Sequence, residues 1–188
     1  MGFNFLAIDF GAKLAGTTAV CFSKNCQLQL QQSAKKQDAD AWLHQIIVEQ
    51  NPSTIFMDAP LSLPGVYRGE GGNFHYRKCD QLLNAMSPMF LGGLTARAMQ
   101  IRAAFPLIPF FEIYPAQLVL TVFSGDVFYK KDLPLFLEKL VEMLPLPFAK
   151  QPENWHQLDA ALAWLTGLRH GRGEALAFGE EAEGRIWV

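Results

Sequence analysis

The sequence predicts an α/β protein built on a mixed sheet, in which three antiparallel strands precede parallel ones and a β-hairpin closes the chain. Three observations predict it. Short apolar runs rich in strand formers recur at 3–10, 16–23, 54–60 and 109–114. The first two, with the alternating segment 26–32, are separated only by short turns, which makes them an antiparallel meander. From residue 37 onward, helix-period segments stand between the strands, as crossovers between parallel strands require. With 188 residues, half of them apolar, one domain over 1–188 is expected to bury roughly 70% of its unfolded surface.

Taken in order, FNFLAIDF at 3–10 is a strand closed by Gly11, and GTTAVCFS at 16–23 is the second. Lys24-Asn25 is a turn, and CQLQLQQ at 26–32 alternates as a strand with one wet face does. QDADAWLHQIIVEQ at 37–50 puts Trp42, Leu43, Ile46 and Ile47 on one helical face, with acids in the first turn where the helix dipole favours them. Asn51-Pro52 ends it, and TIFMDAP at 54–60 is a buried strand stopped by Pro60. LSLPGVYRGEGG is a loop, and 76–104 reads as a helix broken at Pro88 and Gly92-Gly93. PFFEIY at 109–114 is the next strand, and Pro115 opens a helix to about Phe123. Helices follow at about 133–144 and 153–168, and EALAFGEEAEGRIWV forms two short strands around an acidic turn.

The net charge of −2 argues against a generic nucleic-acid coat protein, although an acidic metal site rimmed by local basic groups fits a neutral chain. Cys21, Cys26 and Cys79 form no framework and no second pair at zinc spacing, so reduced thiols and a cytoplasmic protein are expected. The N-terminus has no basic region before its apolar run, which Asp9 interrupts, so it is not read as a signal peptide. The apolar stretch 104–123 contains Glu112 and three prolines, which favours a strand plus a helix over a membrane span, and no membrane partner is expected.

Four carboxylates stand out by position. Asp9 ends the first strand, Asp58 ends the fourth, Glu112 lies near the end of the last central strand, and Asp159 edges the apolar stripe of the late helix. Ligands of open α/β sheets gather outside the carboxyl ends of strands. Clustered buried carboxylates need cations, and hard oxygen donors suit Mg²⁺ or Mn²⁺. Two such ions about 3.5–4 Å apart would activate water and steady the leaving oxygen of a phosphodiester.

The motifs AIDFGAKLAGTTA, FMDAPLSLP, FEIYPA and LDAALAWLTG, with the closing GEEAEGRIWV, resemble in order a family of uncharacterised proteins regarded as ribonuclease H-like nucleases. The resemblance spans nearly the whole chain, and its DAPLSLP and E-x-Y-P elements are specific together. It implies a ribonuclease H-like fold and a metal-dependent nuclease. Asp9 would bridge two metals, Asp58 would bind one, and Asp159 would complete the site, with Glu112 a ligand or a supporting group. The acid that ribonuclease H carries on its first central helix has no match here, which leaves the reaction open.

Lys13, Arg68, Arg77 and Arg97 are expected to contact substrate, with Lys78 and Arg102 as further groove candidates. Tyr67, Phe74, His75 and Tyr76 could stack on bases or fold down onto the core. Thr17 and Thr18 could touch phosphate or be ordinary strand residues, GEGG at 69–72 lacks a P-loop lysine, and His156 is a candidate partner near Asp159. His44 and His170 read as surface residues. The leading function is a nuclease acting on nucleic acid. A non-catalytic binding module of the same fold and a nucleotide-binding or phosphotransfer protein of actin-like ancestry are the alternatives. Relatives of the fold that cut junctions work in pairs, so a homodimer is among the expectations.

Overall fold

A computed structural model describes residues 3–188. The strands are β1 (Phe5–Asp9), β2 (Ala19–Lys24), β3 (Gln27–Gln32), β4 (Thr54–Asp58), β5 (Phe110–Ile113), β6 (Ala177–Glu180) and β7 (Gly184–Trp187). They form one seven-stranded sheet in the order β3-β2-β1-β4-β5-β7-β6. β1, β2 and β3 pair antiparallel, β4 and β5 join parallel to β1, and β7 extends the parallel set while forming a hairpin with β6. This is the mixed sheet expected from the sequence, three antiparallel strands followed by parallel ones with a closing hairpin. The first hairpin turns at Asn25 and Cys26, both left-handed, one residue later than expected. Such a pair suits the right-handed twist of the flanking strands.

The helices are α1 (Ala39–Gln50), α2 (Lys78–Leu83), α3 (Pro88–Leu91), α4 (Gly93–Ala104), α5 (Pro115–Val122), α6 (Leu133–Met143) and α7 (Trp155–Gly171). The expected broken helix is therefore three pieces, ended by left-handed Asn84 and by Gly92. The apolar stretch 104–123 divides into β5 and α5, and no helix among the described residues is long and apolar enough to cross a membrane.

Side-chain alternation assigns the two faces of the sheet. Leu6 and Ile8 of β1 with Ile55 and Met57 of β4 pack against α1 and α4 through Leu43, Ile47, Ala98 and Ile101. Ala7 of β1, Phe56 of β4 and Ile113 of β5 face the other way, against α5, α6 and α7. α7 is the central helix of that layer, with every residue from Leu158 to Leu168 buried. Its close approach depends on Gly167, where a Cβ would sit 2.6 Å from Phe5 Cε2 and 2.8 Å from Phe56 Cδ2. His170 is no surface residue: its ring packs 4.5 Å from Phe111 and 4.6 Å from Trp187, and burial lowers its pKa.

Gly167→Val is therefore expected to destabilise by about 1–3 kcal/mol, lowering the melting temperature by roughly 2–4 °C per kcal/mol. Gly171→Ala, on the same helix with nothing within 4 Å of its new Cβ, should leave melting unchanged or slightly higher. Thermal melts of the two variants check this; equal losses would contradict the packing described.

Candidate active site

Asp9 and Asp58 are the last residues of adjacent parallel strands and are paired in register. Neighbouring strands lie about 4.8 Å apart, and paired residues share a face. Because Ala7 and Phe56 face α7, so do Asp9 and Asp58. The helix they face is fixed at its start by Asn154. Its side chain accepts from the backbone N–H groups of His156 at 3.0 Å and Gln157 at 3.2 Å. Its amide donates to Gln32 of β3 at 2.9 Å. His156 and Asp159 are three residues apart and share one side of this first turn.

Three of the four expected carboxylates are thus brought together. His156 Nδ1 lies 2.8 Å from Asp9 Oδ2. Tyr129, in the segment between α5 and α6, donates its hydroxyl to Asp159 Oδ1 at 2.9 Å, and the Lys130 ammonium pairs with Asp159 Oδ2. Lys130 has a left-handed backbone, and its ammonium lies 5.4 Å from the Tyr129 ring and 5.6 Å from that of Trp155. No hydrogen bond from the described residues reaches the Asp58 carboxylate, so burial and the surrounding charges set its protonation.

Burial pushes the Asp58 carboxyl well up from its ordinary pKa, and Asp9, Asp159 and Glu112 push it further. Burial also raises Asp9, against the opposing effect of His156. Burial and Asp9 carry Asp159 up to about 6, although Lys130 and Tyr129 hold it down. The hydrogen bond to Asp9 raises His156. Burial and the Asp159 charge push the Tyr129 phenol up, which keeps it a proton donor to Asp159. The site therefore carries more carboxylate than its own cations neutralise. Three carboxylates and an imidazole fit a hard divalent ion in kind. Among the described residues no three Asp, Glu, His or Cys side chains converge closely enough to enclose an ion in this geometry.

Glu112 does not join them. It pairs with Met57, so it projects to the opposite face of the sheet from Asp58. There Arg77 holds it with two bonds, Nη1 to Oε2 at 2.6 Å and Nη2 to Oε1 at 2.7 Å, and Leu61 N–H donates to it at 2.9 Å. Arg77 also binds Asp80, at 3.0 Å through Nε and 2.6 Å through Nη2, and Ser62 at 2.9 Å. The expectation that Arg77 contacts substrate is corrected: its side chain is fully buried and its guanidinium is committed to these partners.

Of the other expected substrate contacts, Lys13 and Arg97 meet at Asp40, while Arg68 lies apart from both. Lys13 is exposed after β1 and pairs with Asp38 at 3.1 Å. Arg97 of α4 clasps Asp40 through Nη2 at 2.6 Å and donates to the Gly11 carbonyl at 3.1 Å, fastening the turn after Asp9. Thr17 and Thr18 serve that same turn, accepting from Ala12 at 3.0 Å and Gly11 at 3.1 Å. Arg68 is exposed and donates to the Leu63 and Ala182 carbonyls. Tyr67 and Phe74 pack edge to face, while His75 and Tyr76 gather around exposed Phe90. Lys130 and Tyr129 were not singled out by sequence reasoning, since they lie in a segment without periodicity.

No protein-family profile and no curated protein matches the chain. Among solved structures, the Thermus thermophilus RuvC structure aligns at 14% identity and a TM-score of 0.47, covering 90% of this chain and 96% of that one. T. thermophilus RuvC in complex with a Holliday junction substrate aligns at 16% identity and the same TM-score of 0.47, with the same coverage of 90% and 96%. These likenesses assign no residue a role.

Asp159 supplies a pH test. An acid with a folded pKa above its unfolded value keeps its proton longer in the fold, so stability falls as pH rises through that window. For Asp159 the window runs from 3.8 to about 6. The loss is on the order of 3 kcal/mol for a shift of this size. Asp159→Asn should flatten the fall across this window in chelator-treated protein, read by denaturant melts at successive pH values. An unchanged slope would show that Asp159 is not the strained group.

Proposed function

We propose that this chain is a nuclease that hydrolyses phosphodiester bonds of nucleic acid with Mg²⁺ or Mn²⁺ held by Asp9, Asp58, Asp159 and His156. The observation that carries the reading is the in-register pairing of Asp9 with Asp58, facing His156 and Asp159 across the α7 layer. Without a cation the ionised forms of these acids are penalised by burial and by one another, so the arrangement favours binding one. Bound there, such ions supply an activated water and neutralise charge on the phosphodiester.

The chain's own groups prepare that site. Asp9 orients the His156 ring through Nδ1, leaving the other ring nitrogen to a ligand or a proton. Tyr129 fixes one oxygen of Asp159, and the other, which Lys130 holds, would pass to a cation when one binds. Lys130, with 46% of its side chain exposed, is the nearby ammonium available to meet a phosphate oxygen when it leaves Asp159. Arg97 and the two threonines hold the turn that carries Asp9, so they act on the site through the backbone.

A second reading, binding without turnover, is favoured by one observation: Lys130 already neutralises Asp159 from within the chain. One experiment separates the two. End-labelled single-stranded, duplex, hybrid and branched nucleic acids are incubated with wild type and Asp9→Asn, with and without Mn²⁺. The nuclease reading expects Mn²⁺-dependent cleavage that drops by more than about a hundredfold in Asp9→Asn, with the variant still folded. Cleavage undiminished in the variant would move the chemistry elsewhere. Saturable binding with no cleavage across the panel would select the second reading.

A further inference from the structure

A cavity of about 390 Å³ lies over β5 and the β6–β7 turn, and none of Asp9, Asp58, Asp159 or His156 lines it. Its sheet wall includes Phe110 and Glu112, which register places on the face of Ile55 and Met57, away from Asp58. The volume falls within the range of small-molecule sites. Arginines reach it from three separate parts of the chain: Arg68 from the 3₁₀ turn Gly65–Arg68, Arg102 from the last turn of α4, and Arg185 from β7.

Three glutamates share the lining, and each has partners of its own. Glu112 is held by Arg77 and Leu61. Glu183 accepts from the backbone N–H groups of Gly65 and Lys78, both at 2.7 Å. Glu181 pairs with Arg185 at 3.6 Å. Arg102 differs from them. It is exposed, its Nη1 donates to the Leu61 carbonyl at 3.2 Å, and no carboxylate among the described residues lies within ion-pair distance of it. One bond leaves most of its five N–H donors open. Beside it stand buried Leu61 and half-buried Phe110, an apolar surface for the body of a ligand.

We infer that this cavity binds a phosphomonoester carrying an aromatic body, of the chemical class of a nucleoside monophosphate, with the phosphate on Arg102 and Arg68. A guanidinium meets phosphate through parallel N–H···O bonds; Arg102 has no counter-ion to give up, while Arg68 would exchange its 3.7 Å pair with Glu70 for the phosphate. The phosphate can be that of a free nucleotide or the terminal phosphate of a strand; the same contacts recognise both. The inference stands apart from the nuclease reading, because it uses no residue of the carboxylate site.

The test is calorimetric titration of the full chain in chelator, which removes binding through metal. The probes are AMP, adenosine, inorganic phosphate and a short oligonucleotide with or without a 5′-phosphate. The expected result is saturable binding of AMP or of the phosphorylated oligonucleotide, weakened at least about tenfold in Arg102→Gln, with adenosine inert. Arg68→Gln is a second variant with the same expectation, and unliganded melting curves establish that both are folded. Tighter binding of AMP identifies a free nucleotide as the source, and tighter binding of the oligonucleotide identifies a strand end. No saturable response to any phosphate, or equal responses in wild type and both variants, would overturn the inference.

Discussion

The register between β1 and β4 is the constraint on which the candidate site depends. Parallel pairing of Asp9 with Asp58 puts two carboxylates side by side at the ends of strands in which the three residues before each acid are core. The pleat then directs both at α7. A slip of β4 by one residue would send Asp58 into the α1 and α4 layer and carry Ile55 and Met57 out of it. The hydrophobic pattern that fixes the core therefore fixes the acids as well. Gly167 adds the remaining distance, because only a residue without a side chain lets α7 approach Phe5 and Phe56 this closely.

The two faces of the sheet treat buried charge differently. On one, Arg77 is shared between Glu112 and Asp80, with Ser62 completing its donors, so charge is balanced inside the chain. Removing one member of such a network leaves the others buried and uncompensated, which makes it a structural fixture. On the other face, Lys130 and His156 stand against Asp9, Asp58 and Asp159, and among the described residues no donor reaches Asp58. An unbalanced cluster of this kind costs stability unless something neutralises it, and strongly perturbed carboxylates in such a cluster mark a candidate functional site.

Much of this is legible in the sequence because strand ends are. Asp9 and Asp58 follow apolar runs too short to be helices, so their position at strand termini could be read directly, and the long apolar stripe of α7 marked Asp159 at its edge. Glu112 was read on the correct strand and placed with the wrong company, because a four-residue strand without clear alternation does not reveal which face its acid takes. Arg77 looked like a surface cation since its two partners lie at Asp80, three residues on, and at Glu112, on a strand that only the fold brings near. Lys130 is legible only through three-dimensional structure: it sits in an aperiodic segment between two helices, and its meeting with Asp159 depends on how α5 and α6 pack on α7. His156 was noted beside Asp159, yet its bond is to Asp9, a contact between the first strand and the last helix.

The most direct test of the central claim is a Mn²⁺ titration followed by electron paramagnetic resonance, comparing wild type with Asp58→Asn. The account predicts that wild type removes the free Mn²⁺ signal saturably, that Mg²⁺ restores it, and that Asp58→Asn loses this binding while keeping its fold. Mn²⁺ that stays free in the presence of wild type at millimolar concentration, or that binds both proteins equally, would contradict it.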